Sequence, residues 1–246
     1  MVEREKIIDF LDKYLEIDKW PDDPINGLSV SGQDNIERII TAVSPSLELF
    51  KRADSKKADL IICHHPLNYE DPSPDYVRRR ISFLKDRKIN YANYHLPLDF
   101  NQNVGNAVLT AKEFGLNIKT NKLEERGFFG GDLLDSVSLA GLKKKAELIY
   151  GQKPFVLASG PEEVVSVAIF TGSGGSHFED AFKVGITTVI IGQINEWEYQ
   201  AAKEMGLNIL ACGHYNTEKV GIKALGKLVA KEFNVAEEFI DIPNPI

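Results

Sequence analysis

At 246 residues the chain is long enough for one large domain or two small ones with ample core, and 43% apolar with 26% charged residues is the composition of a folded globular protein. A net charge of −7 disfavours general nucleic-acid binding, and Cys63 and Cys212 are the only cysteines, so a disulfide framework is excluded and a reducing, cytoplasmic setting is expected. The charged opening Met1-Val-Glu-Arg-Glu-Lys6 leads into an amphipathic helix and no apolar run approaches membrane-spanning length, so neither a signal peptide nor membrane association is expected.

Ile7, Ile8, Leu11, Tyr14 and Leu15 recur at helical spacing, and residues 2–16 read as a helix with one buried stripe. The run Trp20-Pro-Asp-Asp-Pro24 breaks it, and Asn26-Gly27 is a turn signal. Residues 36–43 read as a strand, after which Ser44 caps a helix that begins at Pro45 and runs toward Lys57. An apolar strand at 59–63 is followed by helix 75–87, strand 89–94 and helix 104–114. Between 120 and 160, Gly130-Gly131 and the segments 136–142 and 154–158 read as turns and short strands. Strand 164–170, a loop through Thr171-Gly-Ser-Gly-Gly-Ser176, helix 178–184, strand 187–191, helix 197–205, strand 208–212 and helix 217–233 follow, with an edge strand at 238–242. Strands alternating with helices imply an α/β fold with mostly parallel sheets covered on both faces. The two β/α stretches, 28–116 and 164–242, share no evident repeat and imply two lobes, 1–126 and 127–246.

Cys63-His64-His65-Pro66-Leu67 closes the strand at 59–63. Adjacent imidazoles at the end of a buried strand each need a hydrogen-bond or metal partner once desolvated. In a regular strand they would point to opposite faces, but Pro66 holds His65 extended and ends the ladder, so both rings can splay into the loop beyond. His95 and Asp99 follow strand 89–94, and His214 with Glu218 follows strand 208–212. Imidazoles and carboxylates thus gather at strand carboxyl ends, where open α/β sheets bind ligands. Any one of these histidines alone is better read as a loop or cap residue satisfied by backbone. Together, His64, His65, Asp99, His214 and Glu218 are a nitrogen and oxygen donor set that suits Zn, Fe, Mn, Co or Ni. Five ligands exceed one tetrahedral site and match two divalent metal ions about 3.5–4 Å apart, bridged by a carboxylate. The expected location is the strand carboxyl ends, in the cleft between the lobes.

Asp59-Leu-Ile-Ile-Cys-His-His-Pro-Leu67, His95-Leu-Pro-Leu-Asp-Phe-Asn-Gln-Asn-Val-Gly-Asn106 and Gly213-His-Tyr-Asn-Thr-Glu-Lys-Val-Gly221 resemble the three signature blocks of the GTP cyclohydrolase 1 type 2 family, a Nif-three-like group of dinuclear-metal, ring-forming hexamers. The resemblance runs over nearly the whole chain and implies His64, His65, Asp99, His214 and Glu218 as metal ligands, with Glu218 as the bridge. It also implies a toroidal homohexamer acting on a nucleotide or other phosphorylated small molecule, with a metal-activated water opening the guanine ring of GTP at C8 and releasing formate. Two positions depart from the family pattern: Gly192-Gln193, with Glu196 nearby, where Thr-Gly-Glu is common, and Ser44 where an aspartate is common.

His95 is a candidate to orient a ligand or shuttle a proton, and His177 a candidate acid–base group, although a surface or cap role is the simpler reading of His177. The Gly172-Ser-Gly-Gly175 loop is either a phosphate cradle or a tight turn, and it lacks the Lys-Ser/Thr of a P-loop. Arg78-Arg-Arg80 and Lys143-Lys-Lys145 read as solvated charge runs, and the two cysteines as packing residues. The leading expectation is a metal-dependent hydrolase. The alternatives are a non-catalytic metal-binding or metal-delivery protein and a regulatory hexamer.

Overall fold

A computed structural model describes residues 1–20, 22, 26–68, 74–117, 121–123 and 128–246, with backbone alone at 175 and 176. Most of the Trp20–Pro24 break lies outside these residues, as does the expected lobe boundary at 126/127. The chain's contacts group it into two compact units, one of Met1–Leu98 with Gly221–Pro243 and the other of Asp99–Val220 with Asn244–Ile246.

In the first unit, β1 (Val2–Glu3) leads into α1 (Arg4–Tyr14), which buries Ile7, Ile8 and Leu11. The Asn26-Gly27 turn signal opens a strand, β2 (Gly27–Val30), and the stretch expected as one strand divides into β3 (Asn35–Ile36) and β4 (Arg38–Ala42). Then come α2 (Leu47–Ser55), β5 (Leu60–Cys63), α3 (Asp75–Asp86), β6 (Asn90–Asn93) and α4 (Leu96–Asp99), the last residue of which opens the second unit. The cap of α2 is Ser46, whose Oγ accepts from the Leu49 N–H at 3.0 Å, and not Ser44. Ser44 Oγ is instead engaged with His65 Nδ1 at 2.8 Å.

In the second unit, α5 (Asn106–Phe114) precedes β7 (Phe129–Ser138), α6 (Leu139–Tyr150), β8 (Phe155–Ala158) and β9 (Glu163–Phe170). A 3-10 turn at Gly174–His177 leads into α7 (Phe178–Lys183), β10 (Thr188–Ile191), α8 (Glu196–Glu204), β11 (Asn208–Ala211) and α9 (His214–Thr217). Residues 136–138 end β7 as a strand, but from 139 on α6 corrects the reading of 136–142 as turn and short strand. Leu139, Leu142, Ala146 and Tyr150 form its buried stripe, and Ser138 caps it by accepting from the Gly141 N–H. The helix α10 (Lys219–Phe233) and strand β12 (Ala236–Phe239) return the chain to the first unit, because β12 pairs in parallel with β4. That pairing is why the units are not consecutive halves of the sequence.

Each unit holds a five-stranded sheet, in the order β12-β4-β5-β6-β2 and β7-β9-β10-β11-β8. Pairing is parallel from β12 through β6 and from β9 through β11, while β2, β7 and β8 join antiparallel at edges. In the first sheet one face buries Ile40, Ala42, Ile61, Cys63 and Tyr91 with Leu49, Phe50 and Ala53 of α2 and Val77 and Leu84 of α3. Against the other face, α10 approaches so closely at Gly226 that a Cβ there would lie 2.7 Å from Thr41 Cγ2. The second sheet has a core on each face, one built with α5 and α6 and the other with α7 and α8. No helix among the described residues is long and apolar enough to cross a membrane.

Candidate metal centre

In the first unit the carboxyl ends of three adjacent parallel strands, β4, β5 and β6, deliver Ser44, His64 with His65, and His95. The ladder runs on past β5: the His64 N–H donates to Ala42 O at 3.2 Å and the His65 N–H to Val43 O at 2.9 Å. The ladder expected to end at Pro66 therefore runs through His65, and the rings converge, with His64 and His65 centroids 4.9 Å apart and His95 at 5.1 Å from the first and 5.7 Å from the second. One ligating atom from each of the three lies within 4.8 Å of the others.

Each ring is held through Nδ1. His64 Nδ1 is 3.0 Å from the Tyr94 carbonyl, His65 Nδ1 is 2.8 Å from Ser44 Oγ, and His95 Nδ1 is 3.2 Å from both carboxylate oxygens of Asp22. Carbonyl and carboxylate oxygens only accept, so Nδ1 of His64 and of His95 carries a hydrogen. Asp22 also accepts from the Leu96 N–H at 3.0 Å and from Asn26 Nδ2 at 3.1 Å. Burial alone would raise its carboxyl, but the hydrogen bond and charge of His95, with those two donors, hold it below the ordinary carboxylate value. Tyr94 in turn donates its hydroxyl to Asp12 Oδ1 at 2.7 Å, and burial together with that carboxylate keeps the phenol well above its ordinary pKa.

In the second unit β9, β10 and β11 likewise end side by side and supply Thr171 with Gly172, Gln193, and His214. His214 Nδ1 lies 3.1 Å from Gln193 Oε1, and its Nε2 lies 3.2 Å from Glu218 Oε2. The i, i+4 relation expected from sequence places the pair on one side of a short helix: α9 starts at His214 itself and ends just before Glu218. Asp99 Oδ1 accepts from Asn106 Nδ2 at 2.8 Å and from Thr171 Oγ1 at 3.0 Å, and its carboxylate lies within 4.8 Å of that of Glu218. Asp99 and Glu218 are both buried. Gly172 sits at φ +60°, and a Cβ there would fall 2.2 Å from Glu218 Oε1 and 3.2 Å from His214 Nε2, so only glycine lets this loop pass. Its N–H donates to Thr217 Oγ1 and that of Gly174 to the Thr171 carbonyl, which makes the loop a turn around the carboxylate.

His177 packs against aromatic rings. Its ring lies 4.6 Å from Phe128 and 6.1 Å from Phe170, with Nδ1 3.5 Å from Asp180. Cys63 and Cys212 are buried, and burial pushes each thiol up to about 12, so neither offers a thiolate at neutral pH.

These donors fit a divalent metal of borderline softness. Nitrogens and carboxylates gather, thiolates are excluded, and oxygens that hold the rings through Nδ1 are in place. Sequence reading passed over Asp22, Tyr94, Asn106 and Thr171. Asp22 was hidden in a run that signals only a chain break, although an aspartate one residue after a proline in such a run is well suited to accept from a neighbouring loop.

The chain matches the Duf34/NIF3 (NGG1p interacting factor 3) family over residues 2–245. It is 34% identical over 245 residues to the GTP cyclohydrolase 1 type 2 homolog of Buchnera aphidicola, covering 98% of this chain and 97% of the relative. It is also 34% identical over 250 residues to the protein of the same description from Pyrococcus abyssi, covering 98% and 99%. Among solved structures it superposes on protein ybgI, described as of unknown function, with a TM-score of 0.93 at 31% identity, and on a Thermus thermophilus protein with 0.89 at 29%, all of both chains being covered in each case. The blocks around His64, His95 and His214 are therefore those of a Duf34/NIF3 protein, and the chain belongs to that family.

Proposed function

We propose that the protein is a metal-dependent hydrolase in which two divalent cations are held by His64, His65, Asp99, His214 and Glu218, with Glu218 the bridging carboxylate. The observation that carries this reading is the Nδ1 anchoring of the histidines: each ring is fixed by a protein oxygen so that Nε2 is directed to another purpose, which is how metal-ligating imidazoles are held. A bound divalent cation supplies Lewis acidity and lowers the pKa of coordinated water toward neutrality. The chain's own contribution is to orient. Asn106 and Thr171 donate to Asp99, Gln193 holds the His214 ring through Nδ1, and the Gly172 turn walls in Glu218. The substrate class is a nucleotide, GTP first, as in the relatives' description as GTP cyclohydrolase 1 type 2 homologs, or another phosphorylated small molecule, and opening of the guanine ring at C8 is the reaction to test. The assembly is a cytoplasmic homohexamer. Exposed Leu134, Leu148 and Val165 of the second unit are apolar surface of the sort such an assembly covers.

The test is turnover of metal-loaded protein on GTP, read as formate and pterin fluorescence, beside His214→Ala. Formate production lost in the variant supports the hydrolase. Two metals bound tightly with formate no higher than in the variant means that the centre stores or delivers metal. A solution mass near 27.5 kDa, that of a single chain, would remove the hexamer without touching the centre.

A further inference from the structure

We propose that the cavity beside the bulge of β7, in the second unit, binds a small α-amino acid with an apolar side chain, of which leucine is the type. The side chain enters the cavity, Lys145 takes the carboxylate and Asp135 takes the ammonium. The proposal uses no residue of the metal centre and goes beyond the function proposed above.

The cavity follows from a fault in the ladder. β7 and β9 pair Asp132 with Ser166 and next Val137 with Val164, so the four β7 residues 133–136 stand opposite Val165 alone. A bulge leaves its extra residues out of the ladder and re-aims their side chains. This one is tied instead to the end of α5: Leu133 bridges Leu116, and the Leu134 N–H donates to the Gly115 carbonyl at 3.3 Å. The arch, the end of α5 and the start of α6 together enclose about 230 Å³.

Size and lining select the ligand. Phe114 and Leu142, each 1% exposed, line the cavity with half-buried Leu133 and Val137, and Leu134, 72% exposed, is its rim. An apolar cavity of about 150 Å³ takes the six carbons of benzene, and drug-sized ligands need about 300–1,000 Å³. In proportion, 230 Å³ suits about nine heavy atoms, the number in leucine. Leu134 is also surface that the proposed assembly would cover, so a neighbouring chain seated there would close over the ligand.

Charge narrows the class further. Lys145, last of the lysine run, donates from Nζ to the Phe114 carbonyl at 3.0 Å, which uses one of three N–H groups, and a Cβ on Gly115 would lie 3.5 Å from that nitrogen. The ammonium is thereby fixed at the cavity wall. Asp135, exposed on the arch, lines the same cavity and has no hydrogen bond or ion pair with any described residue. A plain fatty acid would meet Asp135 as a like charge, and a plain amine would meet Lys145 so. A zwitterion satisfies both, and its apolar branch matches the rest of the lining.

The probe is L-leucine, titrated calorimetrically into the full-length protein and followed by saturation-transfer NMR, beside N-acetyl-leucine, leucinamide and glycine. Wild type should bind leucine saturably, N-acetyl-leucine and leucinamide each about tenfold more weakly, and glycine not at all. Lys145→Met should remove the preference over leucinamide, and Asp135→Asn the preference over N-acetyl-leucine. Both positions are exposed, and thermal melts establish that each variant is folded. The comparison among the four compounds on wild type stands without either variant. No leucine bound by wild type, either capped compound bound as tightly as leucine, or both variants binding leucine with wild-type affinity would overturn the assignment.

Discussion

Gly172→Ala tests the second ligand set without removing a ligand. The position has φ +60°, where a residue with a Cβ costs about 1–2 kcal/mol, and in a chain of this size that is about 2–8 °C of melting temperature. The added methyl would also start 2.2 Å from Glu218 Oε1, well inside van der Waals contact. Thr217 holds the loop from below by accepting the Gly172 N–H at 3.0 Å, so relief is expected at the carboxylate, which must swing away from His214 Nε2, now 3.2 Å distant. Displacing a metal-site partner in this way should weaken binding by about 10–100-fold. Calorimetric titration of Zn²⁺ into the variant measures it, with the metal-free melt run alongside. A variant that loses the stated stability but binds Zn²⁺ with wild-type affinity would refute the reasoning, because it would show that the Glu218 carboxylate can leave its place without consequence for any ion.

Ser46→Ala should lower stability by about 1 kcal/mol, or about 2–4 °C, through loss of the α2 cap, while Ser44→Ala leaves the helix intact and weakens metal binding through His65; thermal melts and Zn²⁺ titration of the pair separate the two roles. Gln193→Leu removes the acceptor that fixes His214 and should weaken metal binding by about 10–100-fold with little change in the melt, and unchanged affinity would show that the amide is incidental. The Asp12 carboxyl is raised by burial and by the nearby Asp9 and Asp18 charges, against the lowering effect of the Tyr94 hydrogen bond. Its ionisation therefore opposes folding: the unfolded chain ionises first, near about pH 3.9, and stability falls from there until the folded carboxyl has also ionised. Asp12→Asn should accordingly gain melting temperature relative to wild type as pH rises through that window and gain nothing below it; a difference independent of pH would refute the sign.

The elements that sequence made legible are those with a single strong signal. β5 and β10 are short apolar runs between turns, and α1 and α3 have one clean apolar stripe, so their placement needs only burial and period. α6 was obscured because Gly141 and three lysines stand where its stripe begins, and its amphipathic pattern is visible only once β7 and α5 are known to lie beneath it. β2 was obscured by chemistry that points the other way: Asn26-Gly27 does bend the chain, but Asn26 spends its side chain on His95 and Asp22, and Gly27 then begins pairing with β6. The candidate ligands were legible only together, as imidazoles and carboxylates gathered at several strand ends, because any one of the histidines alone reads as a loop or cap residue. Their partners were not, since serine, glutamine and a backbone carbonyl have many.

The partners nevertheless follow one rule that the sheets impose. Ser44 after β4 anchors His65 after β5, Tyr94 after β6 anchors His64 after β5, and Gln193 after β10 anchors His214 after β11. Each anchor comes from the strand next door, so ring orientation is inherited from the register of parallel pairs, Ala42 with Cys63, Cys63 with Asn93, and Ile191 with Ala211. A slip of one residue would turn every one of these side chains to the opposite face. Buried β-branched and aliphatic residues along β4, β5, β10 and β11 forbid that slip, and in doing so they fix three of the four imidazoles. His95 is the exception, because its anchor Asp22 comes from the loop before β2 and not from a neighbouring strand. The geometry at His64, His65 and His214 is therefore set by the register of the sheets, whereas His95 is held from outside them, by Asp22 at its ring and Asn26 at its backbone N–H.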